Sequence, residues 1–86
     1  MLLKNALKKI EAAGYKALHV RGERNKTYQV DMGGRTMEFM ASSYGGDVET
    51  IDCIGVRNTN DLSDPMTDYC AYVFYNTLTQ ALRLNK

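Results

Sequence analysis

The sequence predicts an α+β fold: an antiparallel meander of four to five strands, with an N-terminal and a short C-terminal helix packed on one face. Three observations predict it. Apolar residues recur at helical spacing over the first thirteen positions. A Gly-Gly pair at 33 and 34 separates two segments that alternate apolar and polar residues. A second short helical pattern closes the chain after an apolar run. With 86 residues there is room for one hydrophobic core, so 1–86 is read as a single domain.

The first helix rests on Leu3, Ala6, Leu7, Ile10 and Ala13, with Lys4, Lys8 and Glu11 on the opposite side and Gly14 at the C′ position. Its apolar stripe is alanine and aliphatic, with no Trp or Phe anchor, so it is expected to pack on protein and not on a membrane.

In "YQVDMGGRTMEF" a two-residue loop pairs Met32 with Arg35, Val30 with Met37 and Tyr28 with Phe39. Those apolar residues then share one face, while Gln29, Asp31, Thr36 and Glu38 share the other; a slip by one residue would destroy the agreement. A five-residue loop "GERNK" extends the meander upstream. It sets Val20 opposite Tyr28 and Leu18 opposite Val30, and sends His19 to the second face opposite Gln29. After the polar loop "SSYGGD", "VETIDCIGVR" reads as a fourth strand. Ile51 and Cys53 point one way, Ile54 and Val56 the other, and Gly55 marks a bulge or a close backbone approach.

The run from Tyr69 to Tyr75 has two readings. A helix capped by Asp64, with Pro65 at its first position, would line Met66, Tyr69, Cys70, Val73, Phe74, Ala81 and Leu82 along one stripe. Seven consecutive apolar residues, mostly aromatic or β-branched, suit a buried strand better. A short helix would follow from Asn76 as N-cap, with Leu78, Ala81 and Leu82 inward.

Charge is unevenly spread although the formal net is +1. Residues 1–26 hold seven basic and two acidic side chains, and residues 27–82 hold two basic and eight acidic ones. Such polarity can steer a charged partner, and it equally describes a solvated surface. No segment approaches the roughly 18 apolar residues of a membrane span. The lysines of "MLLKNALKKI" interrupt what an export signal would need, so a cytoplasmic location is expected. Cys53 and Cys70 are then expected to be reduced, buried small hydrophobes. A disulfide between them would require Cα atoms within roughly 7 Å.

No enzyme, cofactor or metal site is predicted. His19 is the only histidine, and both cysteines lie in apolar runs that disfavour a thiolate. Asp61, Asp64 and Asp68 depart from the calcium-loop spacing, and turn or capping roles beside Pro65 account for them. "DMGGR" and "SYGGD" lack the spacing of a phosphate cradle. Helix, antiparallel strands and helix is also the order of a double-stranded RNA-binding domain. The last helix, "YNTLTQALRL", lacks the lysine cluster such domains use at its start. Nucleic-acid binding through Lys4, Lys8 and Lys9 would therefore be weak and salt-sensitive.

The C-terminal third, "RNTNDLSDPMTDYCAYVFYNTLTQALRL", resembles small domains of bacteriophages and conjugative elements, some associated with large polyvalent proteins. The matching residues are Asp64, Met66, Thr67, Asp68 and Tyr69, followed by Thr77, Gln80, Ala81 and Leu82. The aromatic run from Ala71 to Tyr75 departs from that pattern in having no glycine. The resemblance implies a mobile-element origin and brings no catalytic residues.

The function expected is a non-enzymatic protein-binding accessory protein, in its most concrete form an anti-CRISPR-like inhibitor of a host defence complex. The partner would be a host protein or nucleoprotein complex with a basic surface, met by Tyr44, Asp47, Glu49, Asp61, Asp64, Asp68 and Tyr69. Monomer and homodimer are both open, since an exposed edge strand can pair across a dimer.

Overall fold

A computed structural model describes residues 1–43, 48–58 and 72–83. Helix α1 (Leu3–Ala12) precedes strands β1 (Ala17–Arg21), β2 (Lys26–Asp31), β3 (Arg35–Ser42), β4 (Thr50–Asn58) and β5 (Val73–Tyr75), and helix α2 (Leu78–Leu82) follows. The strands form one antiparallel sheet in chain order, the meander expected. Both helices bury their apolar residues against one face of it.

In α1 the buried stripe is Leu3, Ala6 and Ile10. The helix ends in a Schellman motif: Gly14 N–H donates to the Glu11 carbonyl and Tyr15 N–H to the Ile10 carbonyl, with Tyr15 packed on the core. No side chain caps its start. Instead Leu3 N–H donates to the Glu49 carbonyl and Ile51 N–H to the Met1 carbonyl, bridging Leu2 to Thr50. One edge of β4 is thus covered at one end by the N-terminus and at the other by β5.

The β2–β3 hairpin has the register predicted, with Val30 opposite Met37 and Tyr28 opposite Phe39. Val30, Met32, Met37 and Phe39 are fully buried on the helix-covered face. Gly33 turns the chain at φ +90°, a conformation that L side chains resist, and its N–H donates to Asp31 Oδ1.

Strand β1 is shifted by one residue from the expected pairing. Ala17 faces Val30, Leu18 faces Gln29 and His19 faces Tyr28, and an extra residue, Val20, separates His19 from the Arg21–Thr27 pair. Leu18 therefore points away from the helices, and Val20 lies exposed in the bulge. The physical reason lies in His19. Its ring stacks on Tyr28, which stacks on Phe39, each pair 5.4 Å between centroids. Its Nε2 also lies within hydrogen-bond distance of the Arg21 and Gly22 carbonyl oxygens. A stack running across three strands and a satisfied loop outweigh the burial of Leu18, which is 57% exposed.

The phase of β4 also differs. Glu38 pairs with Gly55 and Met40 with Asp52, so β4 carries one extra residue in the interval. That residue is accommodated at Cys53, whose φ of 53° is left-handed. The bulge puts Ile51 on the core side with Ile54 and Val56, where a regular strand would have divided them.

At the C-terminus the chain runs strand then helix over the described residues, but Val73 and Phe74 are exposed where a buried strand is expected, and the N-cap is Thr77, not Asn76. The Thr77 hydroxyl accepts from Gln80 N–H at 3.2 Å. Leu78 and Ala81 are buried and Leu82 packs beside them. Residues 59–71 of the segment resembling mobile-element domains, with Asp64, Met66, Thr67, Asp68 and Tyr69 among them, lie outside the described residues.

Candidate functional site

On the sheet face away from the helices, Leu18, Gln29, Glu38, Gly55 and Phe74 form one row across all five strands. Gly55 leaves a gap in that row, and the Tyr72 and Phe74 rings lie over it. A Cβ at this position would stand 3.1 Å from both rings. Phe74 is nevertheless 56% exposed, because α1 and α2 both pack on the opposite face. The rings, with Met40 and Cys53 on the neighbouring strands and Arg21 and Glu38 towards β1, border an open cleft of about 420 Å³.

Glu38 is the polar centre of the cleft. Its Oε1 accepts from Arg21 Nη2 at 2.8 Å, and its Oε2 accepts from the Tyr72 hydroxyl at 2.7 Å and from Gln29 Nε2 at 3.3 Å. The Glu38 side chain is only 16% exposed, while Arg21 is 60% exposed and lies over the rim. Arg57 sits 5.7 Å from the Tyr72 ring centre, a cation–π contact that holds the ring from behind. Burial first, and then the hydrogen bond to the Glu38 carboxylate, push the Tyr72 phenol up to about 12, so Tyr72 is a donor at any physiological pH.

Both bulges serve this site. Without the extra residue in β1, Val20 would pair with Thr27 and Arg21 would fall opposite Lys26, on the face with Tyr28; the bulge turns Arg21 onto Glu38. The bulge in β4 brings Cys53 to the cleft wall, with its N–H donating to Asp52 Oδ1 at 2.8 Å. The thiol is exposed and unbridged, which corrects the expectation of a buried cysteine.

Of the residues expected to meet a partner, Glu49 alone is described. Its Oε1 accepts from Lys26 Nζ at 2.9 Å and its backbone carbonyl holds Leu3, so it braces β2 and α1 against β4. The hydrogen bond to Glu49 holds the Lys26 ammonium above the usual lysine range. Tyr44, Asp47, Asp61, Asp64, Asp68 and Tyr69 lie outside the described residues, as does Cys70. His19 stands with Tyr28 on the helix side of the sheet, whereas Cys53 opens on the other, so this histidine and this thiol do not come together. Among the described residues no three His, Cys, Asp or Glu side chains gather as metal ligands, and no helix is long and apolar enough to cross a membrane.

The alternation of β3 predicts that Glu38 points outward, but neither its central place nor the role of Tyr72 follows from it. The available signal was the alternation of Tyr72 and Phe74 with Val73 and Tyr75, set against a glycine in the preceding strand. No family model, curated protein or solved structure matches the chain.

Proposed function

We propose that the chain is a non-enzymatic protein-binding module that meets its partner through the uncovered face of its sheet. The observation that carries this reading is the exposure of Leu18, Met40 and Phe74 around the Glu38 cleft. Large apolar side chains grouped on one open face are unusual on a surface that meets only water. Methionine, aromatic and arginine side chains beside a partly dry ion pair have the composition of an interface centre. Catalysis has less support. Glu38, the carboxylate that lines the cleft among the described residues, already accepts three hydrogen bonds, and Cys53 lies on the sheet face opposite His19.

The more specific version, an inhibitor of a host defence complex carried by a mobile element, draws on the resemblance of the C-terminal third and on the acidic block. With Glu49 committed to Lys26, the weight of recognition moves to the sheet face. Immobilised full-length chain and its Phe74→Ser variant, both checked for native folding, would be compared for capture from bacterial lysate. The reading expects specific proteins retained by the parent and lost by the variant, with a nuclease or defence subunit among them for the specific version. Identical capture by both would refute binding through this face.

A second reading rests on Lys4, Lys8 and Lys9, all exposed on the solvent side of α1. They could touch a nucleic-acid backbone from the side of the molecule opposite the cleft, with an affinity that falls steeply with salt.

A further inference from the structure

We infer that the Glu38 cleft receives an aromatic side chain carrying a hydrogen-bond donor, a tryptophan or tyrosine of the partner protein. This inference rests on the uncovered face being the protein-binding surface. It follows from the chemistry of the walls, the charge balance and the unused acceptor.

The walls suit a flat apolar group. One side carries two sulfur atoms, in Met40 and Cys53, and the other carries the Tyr72 and Phe74 rings. Sulfur at a ring edge and offset aromatic rings are favourable neighbours for a further ring. The opening of about 420 Å³ is within the range of small-ligand sites, and the missing side chain at Gly55 lets the Tyr72 and Phe74 rings lie close on the strand as one of its walls.

The charge balance disfavours an ion. Among the described residues the charges around the cleft are the carboxylates of Glu38 and of Asp52, beside Cys53, and the guanidinium groups of Arg21, bonded to Glu38, and of Arg57, against the Tyr72 ring. The two signs balance, so an entering lysine or arginine gains no net attraction and meets the Arg21 guanidinium already bonded to Glu38. An anion would be set directly against the Glu38 carboxylate. A neutral group meets neither penalty.

The donor is chosen by Glu38. A carboxylate offers about four lone-pair sites. Three are filled: two on Oε2 by Tyr72 and Gln29, and one on Oε1 by Arg21. The remaining site is on Oε1, beside the Arg21 guanidinium, whose side chain is largely exposed. An indole N–H or a phenol O–H would fill it while its ring lies between Met40 and Phe74. A phenylalanine would leave it empty.

The test is an NMR titration of the full chain, labelled at backbone nitrogen and at the methionine methyls. The probes are N-acetyl-tryptophanamide, its 1-methylindole analogue, which lacks the N–H, and N-acetyl-lysinamide. The tryptophan probe is expected to shift the Met40 methyl and the Gly55 and Phe74 amides, saturating in the millimolar range. The methylated analogue should bind about tenfold more weakly, which corresponds to about 1.4 kcal/mol at 25 °C. Glu38→Gln should bring the two probes within about twofold of each other, since it removes the charged acceptor that tells them apart. Met40→Ala, at an exposed position, should weaken both equally. Absence of shifts at these residues, equal binding of the two indoles to the parent, or stronger binding of the lysine probe would each overturn the assignment. If capture from lysate is lost in Phe74→Ser while the titration fails, the face binds a partner by another anchor. If both fail, the binding face itself is refuted.

Discussion

Replacing Tyr72 by phenylalanine isolates one bond at the centre of the site. The hydroxyl donates to a carboxylate at 2.7 Å, a short bond to a charged acceptor. Bonds of this kind contribute about 1.5–3 kcal/mol net, and partial exposure of both groups lowers that to about 1–2 kcal/mol here. The change does not strand the acceptor, because Arg21 and Gln29 still donate to Glu38. The ring stays, and with it the Arg57 contact. Against a total stability of about 5–15 kcal/mol the loss is measurable. For a domain of this size it lowers Tm by about 4–8 °C per kcal/mol. Urea unfolding at neutral pH should show a lower midpoint with an unchanged slope. The pH dependence provides a second reading. The phenol is near 10 in an unfolded chain and pushed up to about 12 in the fold, so between those values the folded state binds the proton that the unfolded state has lost. Its contribution is complete below pH 10 and disappears as pH rises towards 12. The gap between parent and Tyr72→Phe should narrow across that window. Equal stability at neutral pH, or a gap that stays constant through the window, would show that the Glu38 network is not what holds Tyr72 in place.

Other substitutions test the elements that frame the site. Gly14 and Gly22 have almost the same positive φ, +90° and +87°, but a Cβ at Gly14 meets nothing whereas one at Gly22 would stand 2.0 Å from the Asn25 carbonyl oxygen. Gly14→Ala should cost about 1 kcal/mol and Gly22→Ala about 2–4 kcal/mol by chemical denaturation; equal costs would mean that the β1–β2 loop moves freely. Phe39→Ala removes the fully buried end of the His19–Tyr28–Phe39 stack and should cost about 3–5 kcal/mol, with an upfield-shifted His19 resonance relaxing towards its unstacked position. Replacing Lys4, Lys8 and Lys9 together by glutamine should leave thermal stability within about 1 kcal/mol of the parent, since all three are exposed. If the second reading holds, the same triple change abolishes any low-salt gel shift of duplex RNA or DNA.

The parts of the fold legible in the sequence are those where one rule acts without interruption. From Tyr28 to Phe39 the alternation never breaks and the turn needs a glycine, so register and buried face could be worked out by pairing alone. In α1 the apolar spacing and Gly14 agree on where the helix ends. In α2 the inward residues were legible, but the cap was placed one residue early, because Asn76 and Thr77 are both good caps and only geometry shows which oxygen reaches Gln80. Strand β1 was misplaced for a different reason. Leu18 and Val20 read as core by hydropathy, whereas the sheet buries the side that continues an aromatic stack.

The two interruptions in the alternation both border the cleft, and this is an argument about function as much as about reading. A bulge breaks a ladder and commonly redirects side chains beside a site. The bulge at Val20 redirects Arg21 to Glu38, and the bulge at Cys53 supplies a cleft wall while returning Ile51 to the core. A β1 selected only for burial would have turned Leu18 inward, whereas the β4 bulge serves the core through Ile51 and the cleft through Cys53 at once. Here local regularity gives way around a single carboxylate, on the face left open by both helices. Departures from pattern that converge on one surface are expected where a protein makes contact rather than where it only folds. For that reason the outer face, more than the acidic stretches of the sequence, is where a partner should be sought.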